Sequence, residues 1–357
     1  MNFAAKMKKM WRSQPLLSVG LALVLLILVQ TVVMTIEFTL SFAPEFVFDV
    51  KLKNFDSFGA WGQKLITNWR NILLNNSYVG MIALAMTFVI ISGGIDLSVG
   101  SMLVAVGAMV MVLINTKEAG ILTSLGITGI PAVVIGVALG LLLGYLLGNL
   151  NGIIISKGRV PPFIVTLGTM MMFRSVTQYF MQTRKGAALP TAFKNISKLQ
   201  IGGNMVLPII YWLLLAVILY VVARHTVFGR HVYAVGSNER TAKLSGINVD
   251  RVKRRVYALT GVIVAFAAMV QVARIGSMDY ASAGSGYEMD AIASVIIGGT
   301  AMSGGSGSVF GTLLGTLTLA VMNNLLTLMG VDPFLREAFK GAIVVAAVLL
   351  QRKEKQA

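Results

Sequence analysis

Few residues in this chain have types and spacing that could do chemistry. The stretch GGIDLSVGS, residues 93–101, sets two glycines, an aspartate and two serines between the apolar runs YVGMIALAMTFVIIS and MLVAVGAMVMVLI. Asp96 is an ionisable group beside hydrocarbon, which is costly unless the group is paired or wet. The two histidines, His225 and His231, share one segment with no Cys/Asp/Glu cluster nearby, so neither a metal-ligand set nor acid–base catalysis is indicated. GSGS at 305–308 lacks the strand–elbow–helix setting of a serine nucleophile. No G-x-x-x-x-G-K-[S/T] loop is present to cradle nucleotide phosphates. The sequence therefore points to no catalytic, metal or cofactor residues in this chain, and any ATP energy must come from a partner. With no cysteine, disulfides and thiolate ligands are excluded.

The elements that must position these residues are membrane helices. Of 357 residues, 56% are hydrophobic and 12% charged, with a mean hydropathy of +0.79, far from a soluble domain. Apolar stretches of roughly 20 residues, the length that crosses about 30 Å of hydrocarbon, recur along the chain. The alternating segments of about 10 residues expected of a barrel do not. The expected fold is all-α, a polytopic membrane protein of about ten transmembrane helices. They fall roughly at 15–36, 72–92, 97–115, 130–154, 161–181, 205–223, 256–275, 290–302, 309–329 and 335–351. The first is read as a retained helix, since no small-residue cleavage site follows it.

The net charge of +16 is distributed by side. Placing KMKKMWR inside puts residues 1–14, 156–160, 223–256 and 351–357 together, and that side, with Asp96, holds 17 of the 30 Lys+Arg against 4 of the 14 Asp+Glu. This is the positive-inside pattern, so both termini are expected in the cytoplasm, the chain lies in the cell membrane, and no nucleic-acid partner is needed.

Sliding the chain against itself aligns GGIDLSVGS at 93 with GGTAMSGGS at 298, pairing Gly93 with Gly298, Gly94 with Gly299, Ser98 with Ser303, Gly100 with Gly305 and Ser101 with Ser306. Each copy sits between two apolar runs, which suggests two related halves with Gly-rich broken helices. Such paired interruptions point to a solute route, because backbone freed from a helix survives in lipid only where protein or a watery cavity satisfies it. Close helix packing through small residues would account for the glycines equally well. Asp96 could line the route or cap the helix that follows. Asn149, Asn151, Thr166 and Thr169 add uncharged donors and acceptors suited to a neutral polar solute, or to bonds between helices.

The loop 224–255 is organised. Asn238 is a good N-cap, ERTAKLS (Glu239, Arg240, Thr241, Ala242, Lys243, Leu244, Ser245) can make about two turns, and Gly246 can supply the left-handed stop. A helix this short is marginal alone, so it is expected to dock on a partner.

These motifs together carry a resemblance. GGIDLSVGS, PPFIVTLGTMM, FGRHVYAVGSNERTAKLSGINVDRVK, ARIGSMDY, GYEMDAIASVIIGGTAMSGGSGS and KGAIVVAAVLL resemble the permease subunits of bacterial ABC importers for ribose, galactose, arabinose and xylose, from about residue 71 to 351. The resemblance implies a monosaccharide importer with a second permease subunit, a cytoplasmic ATP-binding subunit that holds ATP and Mg, and an extracytoplasmic sugar-binding protein. It makes residues 238–246 the coupling helix. The chain then divides into an N-terminal part, 1–70, a permease core, 71–351, and a cytoplasmic tail, 352–357. The 37–70 connection is longer than the family leads one to expect, and its aromatic content suggests an interfacial helix or a docking surface. The outer loop at 182–204 carries Arg184, Lys185, Lys194 and Lys198 and no acidic residue. It is read as a rim for the binding protein, with lipid headgroups as the other reading.

Overall fold

The computed structural model describes residues 15–42, 55–117, 120–181, 188–198, 200–201 and 204–356. Among them fourteen helices form, with one short antiparallel pair, Gln200–Ile201 against Asn204–Met205. The first seven helices are α1 (Pro15–Phe42), α2 (Phe55–Ile91), α3 (Val99–Ile114), α4 (Ile121–Ser124), α5 (Gly129–Gly158), α6 (Pro162–Met181) and α7 (Thr191–Lys198). The rest are α8 (Leu207–His225), α9 (Val227–Ser237), α10 (Glu239–Leu244), α11 (Val249–Ile275), α12 (Tyr287–Ile297), α13 (Val309–Leu328) and α14 (Pro333–Gln356).

Each of the ten expected stretches contains a helix, but they are not ten equal crossings. Among the described residues, α1, α2, α5, α8, α11 and α13 are long and apolar enough to cross a bilayer unaided. α3 has 16 residues and α12 only 11, about 24 and 17 Å at 1.5 Å per residue, so both fall short of roughly 30 Å. α12 stops at Ile297, where the sequence alone suggested a span to 302. The domain boundary expected at residue 70 falls inside α2, which runs unbroken for 37 residues. Residues 43–54 of the connection and the 1–14 tail lie outside the described residues.

The core is built round α2, α3, α5 and α11. Met81 to Met86 on α2 are fully buried, as are Val264, Ala265, Ala267 and Ala268 on α11. α5 and α11 pack antiparallel along a glycine ridge spaced every four residues, one face of a helix. A Cβ on Gly144 would lie 2.4 Å from the Gly261 carbonyl oxygen, and one on Gly148 would lie 2.3 Å from that of Tyr257. Without side chains in the way the backbones approach closely, and dispersion replaces the hydrophobic drive that lipid removes. At the other end of the molecule, Asn68 and Asn324 exchange bonds of 3.1 and 3.2 Å, and Gln30 Nε2 donates to Asn324 Oδ1 at 2.7 Å, which ties α1, α2 and α13 together.

Candidate translocation and coupling site

The basic loop folds into three consecutive capped helices. Thr226 Oγ1 accepts from Gly229 N at 3.1 Å to start α9, Asn238 Oδ1 from Thr241 N at 2.9 Å to start α10, and Asn248 Oδ1 from Arg251 N at 2.9 Å to start α11. Gly246, at φ +81°, ends α10, with Gly246 N bonding Lys243 O and Ile247 N bonding Ala242 O, both at 3.1 Å. A left-handed residue is easy only for glycine. Ala242 is buried beneath the helix, and Glu239 pairs with Lys253 at 2.7 Å. Arg240, Thr241, Lys243 and Ser245 are exposed, and Leu244 is 84% exposed, an apolar side chain held out from an anchored helix.

Immediately before this helix, three chain segments meet backbone to backbone. Gly305 N donates to Ile91 O at 2.9 Å, joining the loop after α12 to the end of α2. Gly236, the penultimate residue of α9, sits against both: a Cβ there would stand 1.7 Å from Ile91 O and 2.7 Å from Gly305 N. Tyr233 on α9 donates its hydroxyl to Gly307 O at 2.9 Å. Both Gly-rich breaks therefore touch the helix that carries α10.

The two breaks start alike. Gly93 (φ +81°) bonds Ile90 O and Gly94 N bonds Val89 O; Gly299 (φ +85°) bonds Ile296 O and Thr300 N bonds Val295 O. The backbone thus pairs Gly93 with Gly299, not with Gly298 as the ungapped sequence match has it. The second break, 298–308, is also four residues longer than the first, 92–98. The letter pairing of Ser98 with Ser303 and Ser101 with Ser306 consequently has no spatial counterpart: Ser98 and Ser101 are buried, while Ser303 and Ser306 are exposed.

Asp96 is fully buried. Its Oδ1 accepts from Ser98 N at 2.9 Å and Ser98 Oγ at 2.6 Å, and Asn151 Nδ2 on α5 donates to Ser98 Oγ at 2.8 Å. Tyr257 on α11 donates to Ile95 O at 3.0 Å. The carboxylate closes an Asx turn two residues on, a local alternative to helix capping; it bonds Ser98 and no first-turn N–H of α3 among the described residues. Asp96 Oδ2, Ser101 Oγ and Asn151 Oδ1 are buried without a partner among the described residues. Thr166 back-bonds Pro162 O at 2.9 Å and Thr169 back-bonds Thr166 O at 3.3 Å, so their donors are spent on α6 itself, next to Ile95. Asn149 is not part of this cluster. Two helical residues are about 200° apart, so it faces away from Asn151.

A segment absent from the expected site lies across α3. Met278 packs where a Gly107 Cβ would stand, and the Gly284 carbonyl oxygen lies 2.1 Å from a Cβ built on Gly100. Residues 278–284 thus run antiparallel to eight residues of α3, 100–107, about 10 Å along it, without being helical. Arg174 on α6 holds the segment, donating to Ala281 O at 3.2 Å and Ala283 O at 2.8 Å. Ser282 and Ser285 are exposed. Only the polarity of GSMDYASAGSG and an arginine within an otherwise apolar run could have flagged it in the sequence. Gly236 and Tyr257 carried no signal at all, since one stands for close approach and the other for a distant carbonyl.

Of the expected docking residues, Lys194 is half-buried and Lys198 exposed on α7, which is fastened to α11 by Ser197 Oγ to Val270 O at 2.7 Å. Arg184 and Lys185 lie outside the described residues.

A multi-pass α-helical core with interrupted helices and one capped, exposed helix on its basic side defines the class: a membrane permease. A family model described as the permease component of a branched-chain amino acid transport system matches residues 68–348, and the chain belongs to that family. It is 43% identical over 289 residues to the ribose import permease protein RbsC of Bacillus subtilis (strain 168), covering 80% of this chain and 85% of that one. It is 38% identical over 296 residues to RbsC of Escherichia coli (strain K12), covering 81% and 87%. To the galactose/methyl galactoside import permease protein MglC of Haemophilus influenzae (strain ATCC 51907 / DSM 11121 / KW20 / Rd) it is 31% identical over 293 residues, covering 80% and 86%. No solved structure matches.

Proposed function

We propose that the chain is the permease subunit of an ABC importer that moves a monosaccharide inward, received from an extracytoplasmic binding protein and driven by a separate ATPase holding ATP and Mg. The observation that carries this reading is the junction of Ile91, Gly236 and Gly305, which links an exposed helix directly to both interruptions of the membrane core. A partner that moves α10 moves the ends of α2 and of the 298–308 loop with it. In this reading residues 238–246 are the coupling helix, both termini are cytoplasmic in the inner membrane, the ten helical stretches belong to two related halves, and a second permease subunit completes the pathway.

The family description names amino acids, whereas the full-length relatives above are named for ribose and galactose. The side chains at the breaks favour the second. An amino acid zwitterion needs compensating charges, while Ser303 and Ser306 present neutral polar residues at the surface of the second break, and Asp96, the one carboxylate in the two breaks, is fully buried with its Oδ1 bonded by Ser98. The 278–284 segment fits the pathway wall. It is irregular backbone beside a membrane helix with serines exposed, and such backbone persists in a bilayer only inside protein or along a watery cavity. The basic outer loop with Arg184, Lys185, Lys194 and Lys198 is the proposed rim for the binding protein. Co-reconstitution with the neighbouring ATPase and binding protein, followed by uptake of labelled ribose, galactose and leucine, tests the proposal. ATP-dependent sugar uptake is expected; uptake of leucine alone, or sugar uptake driven by a proton gradient without ATPase, would overturn it.

A further inference from the structure

We propose that a groove between α5 and α11 on the basic side binds an anionic phospholipid through its headgroup. The groove is a cavity of about 430 Å³ with two unlike ends, Arg254, Arg255 and Asn149 at one and Tyr145, Leu259 and Val262 at the other. The antiparallel glycine ridge sets their depths. Gly152 abuts the Arg254 backbone and Gly144 abuts Gly261, so the arginines stand toward the helix ends and Val262 and Tyr145 toward the membrane interior. Both arginines are exposed, and no carboxylate among the described residues pairs with either; the nearby Glu239 is taken by Lys253. Asn149 Oδ1 is buried without a hydrogen-bond partner.

Two guanidiniums that line one groove present planar forks that match phosphate oxygens, and the inner leaflet supplies phosphate at that depth. The Asn149 side-chain amide, at the same end of the groove, offers a polar partner to a headgroup hydroxyl. Tyr145, Leu259 and Val262 offer the apolar wall that acyl chains need and that soluble phosphate would leave unfilled. Phosphatidylglycerol, with a phosphate and free glycerol hydroxyls on two chains, meets all three requirements.

The test is native mass spectrometry of the full-length permease, purified with phosphatidylglycerol or phosphatidylcholine and washed in detergent. Wild type is expected to keep phosphatidylglycerol and release phosphatidylcholine, and R254Q/R255Q to retain about tenfold less phosphatidylglycerol or worse. K157Q/R159Q removes the same charge from the exposed α5–α6 turn on the same side and is expected to retain wild-type lipid. Equal loss in the two double variants would reduce the effect to bulk charge and overturn the site. Equal retention of both lipids by wild type overturns it without any variant. Displacement of the lipid by inorganic phosphate would assign the groove to a soluble anion. Conversion of R254Q/R255Q from dimer to monomer with lipid retention unchanged would assign it to a second copy of the chain.

Discussion

Replacing Gly236 with alanine sets two effects against each other. In an exposed helix the change would stabilise by roughly 1 kcal/mol, since glycine is the poorer helix former. At this position the new Cβ would sit 1.7 Å from Ile91 O, 2.7 Å from Gly305 N and 2.8 Å from Ile91 C, all of them backbone atoms that cannot rotate away. To reach ordinary contact, α9 or the two breaks must retreat by about 1.5 Å or more. That retreat strains the packing by about 1–3 kcal/mol and pulls apart the Gly305–Ile91 bond, worth about 1 kcal/mol and more if both groups stay buried. After the helix gain is subtracted, the balance is about 1–3 kcal/mol against the closed junction, a population shift of roughly 5- to 150-fold. The exposed surface of α10 is untouched, so the ATPase should still co-purify with the variant. In proteoliposomes, basal ATP hydrolysis should persist while binding-protein stimulation and sugar uptake fall about fivefold or more. Wild-type stimulation and uptake in Gly236→Ala would refute transmission through this junction.

Three further outcomes are expected. Asn238→Ala, which removes the bond to Thr241 N, and Gly246→Val, which places a β-branched residue at φ +81°, should each cost α10 about 1 kcal/mol or more and weaken ATPase binding, while Asn238→Ser keeps the cap and the affinity; equal affinity in all four proteins would show that α10 is not the contact. Asp96→Asn keeps an acceptor for Ser98, whereas Asp96→Ala leaves its N–H and hydroxyl unpaired, so thermal unfolding should place Ala below Asn by about 2–3 kcal/mol; indistinguishable midpoints would remove the Asx turn from the account. Single cysteines at 303 and 306 should react with a water-soluble thiol reagent in the resting permease, and those at 98 and 101 only when the assembled complex turns over; ready labelling at 98 at rest would contradict its burial.

What could be read without the structure was local. The caps at Asn238 and the stop at Gly246 follow from side-chain and backbone preferences within a few residues, and every apolar stretch of helix-forming length contains a helix. The glycine pairs marked both breaks for the same reason, since a left-handed residue ends a helix wherever it stands. The error at Gly298 was also local in origin: an ungapped match keeps one register, and the second break is longer, so the equivalence slides by one residue at the helix end and by more beyond it.

The rest depended on which surfaces meet. That the turn at Asp96 is held from two other helices shows only where α5 and α11 bring Asn151 and Tyr257 against it. Gly236 is an ordinary helical residue until the ends of α2 and of the 298–308 loop arrive beside it. Composition and periodicity determined that this chain is a bundle of membrane helices with two breaks and a basic side, because those properties are carried by single residues and their near neighbours. Only the tertiary structure decided that the two breaks and the exposed helix share one junction, because contact between residues far apart in the chain depends on the packing of whole helices, which no single segment specifies.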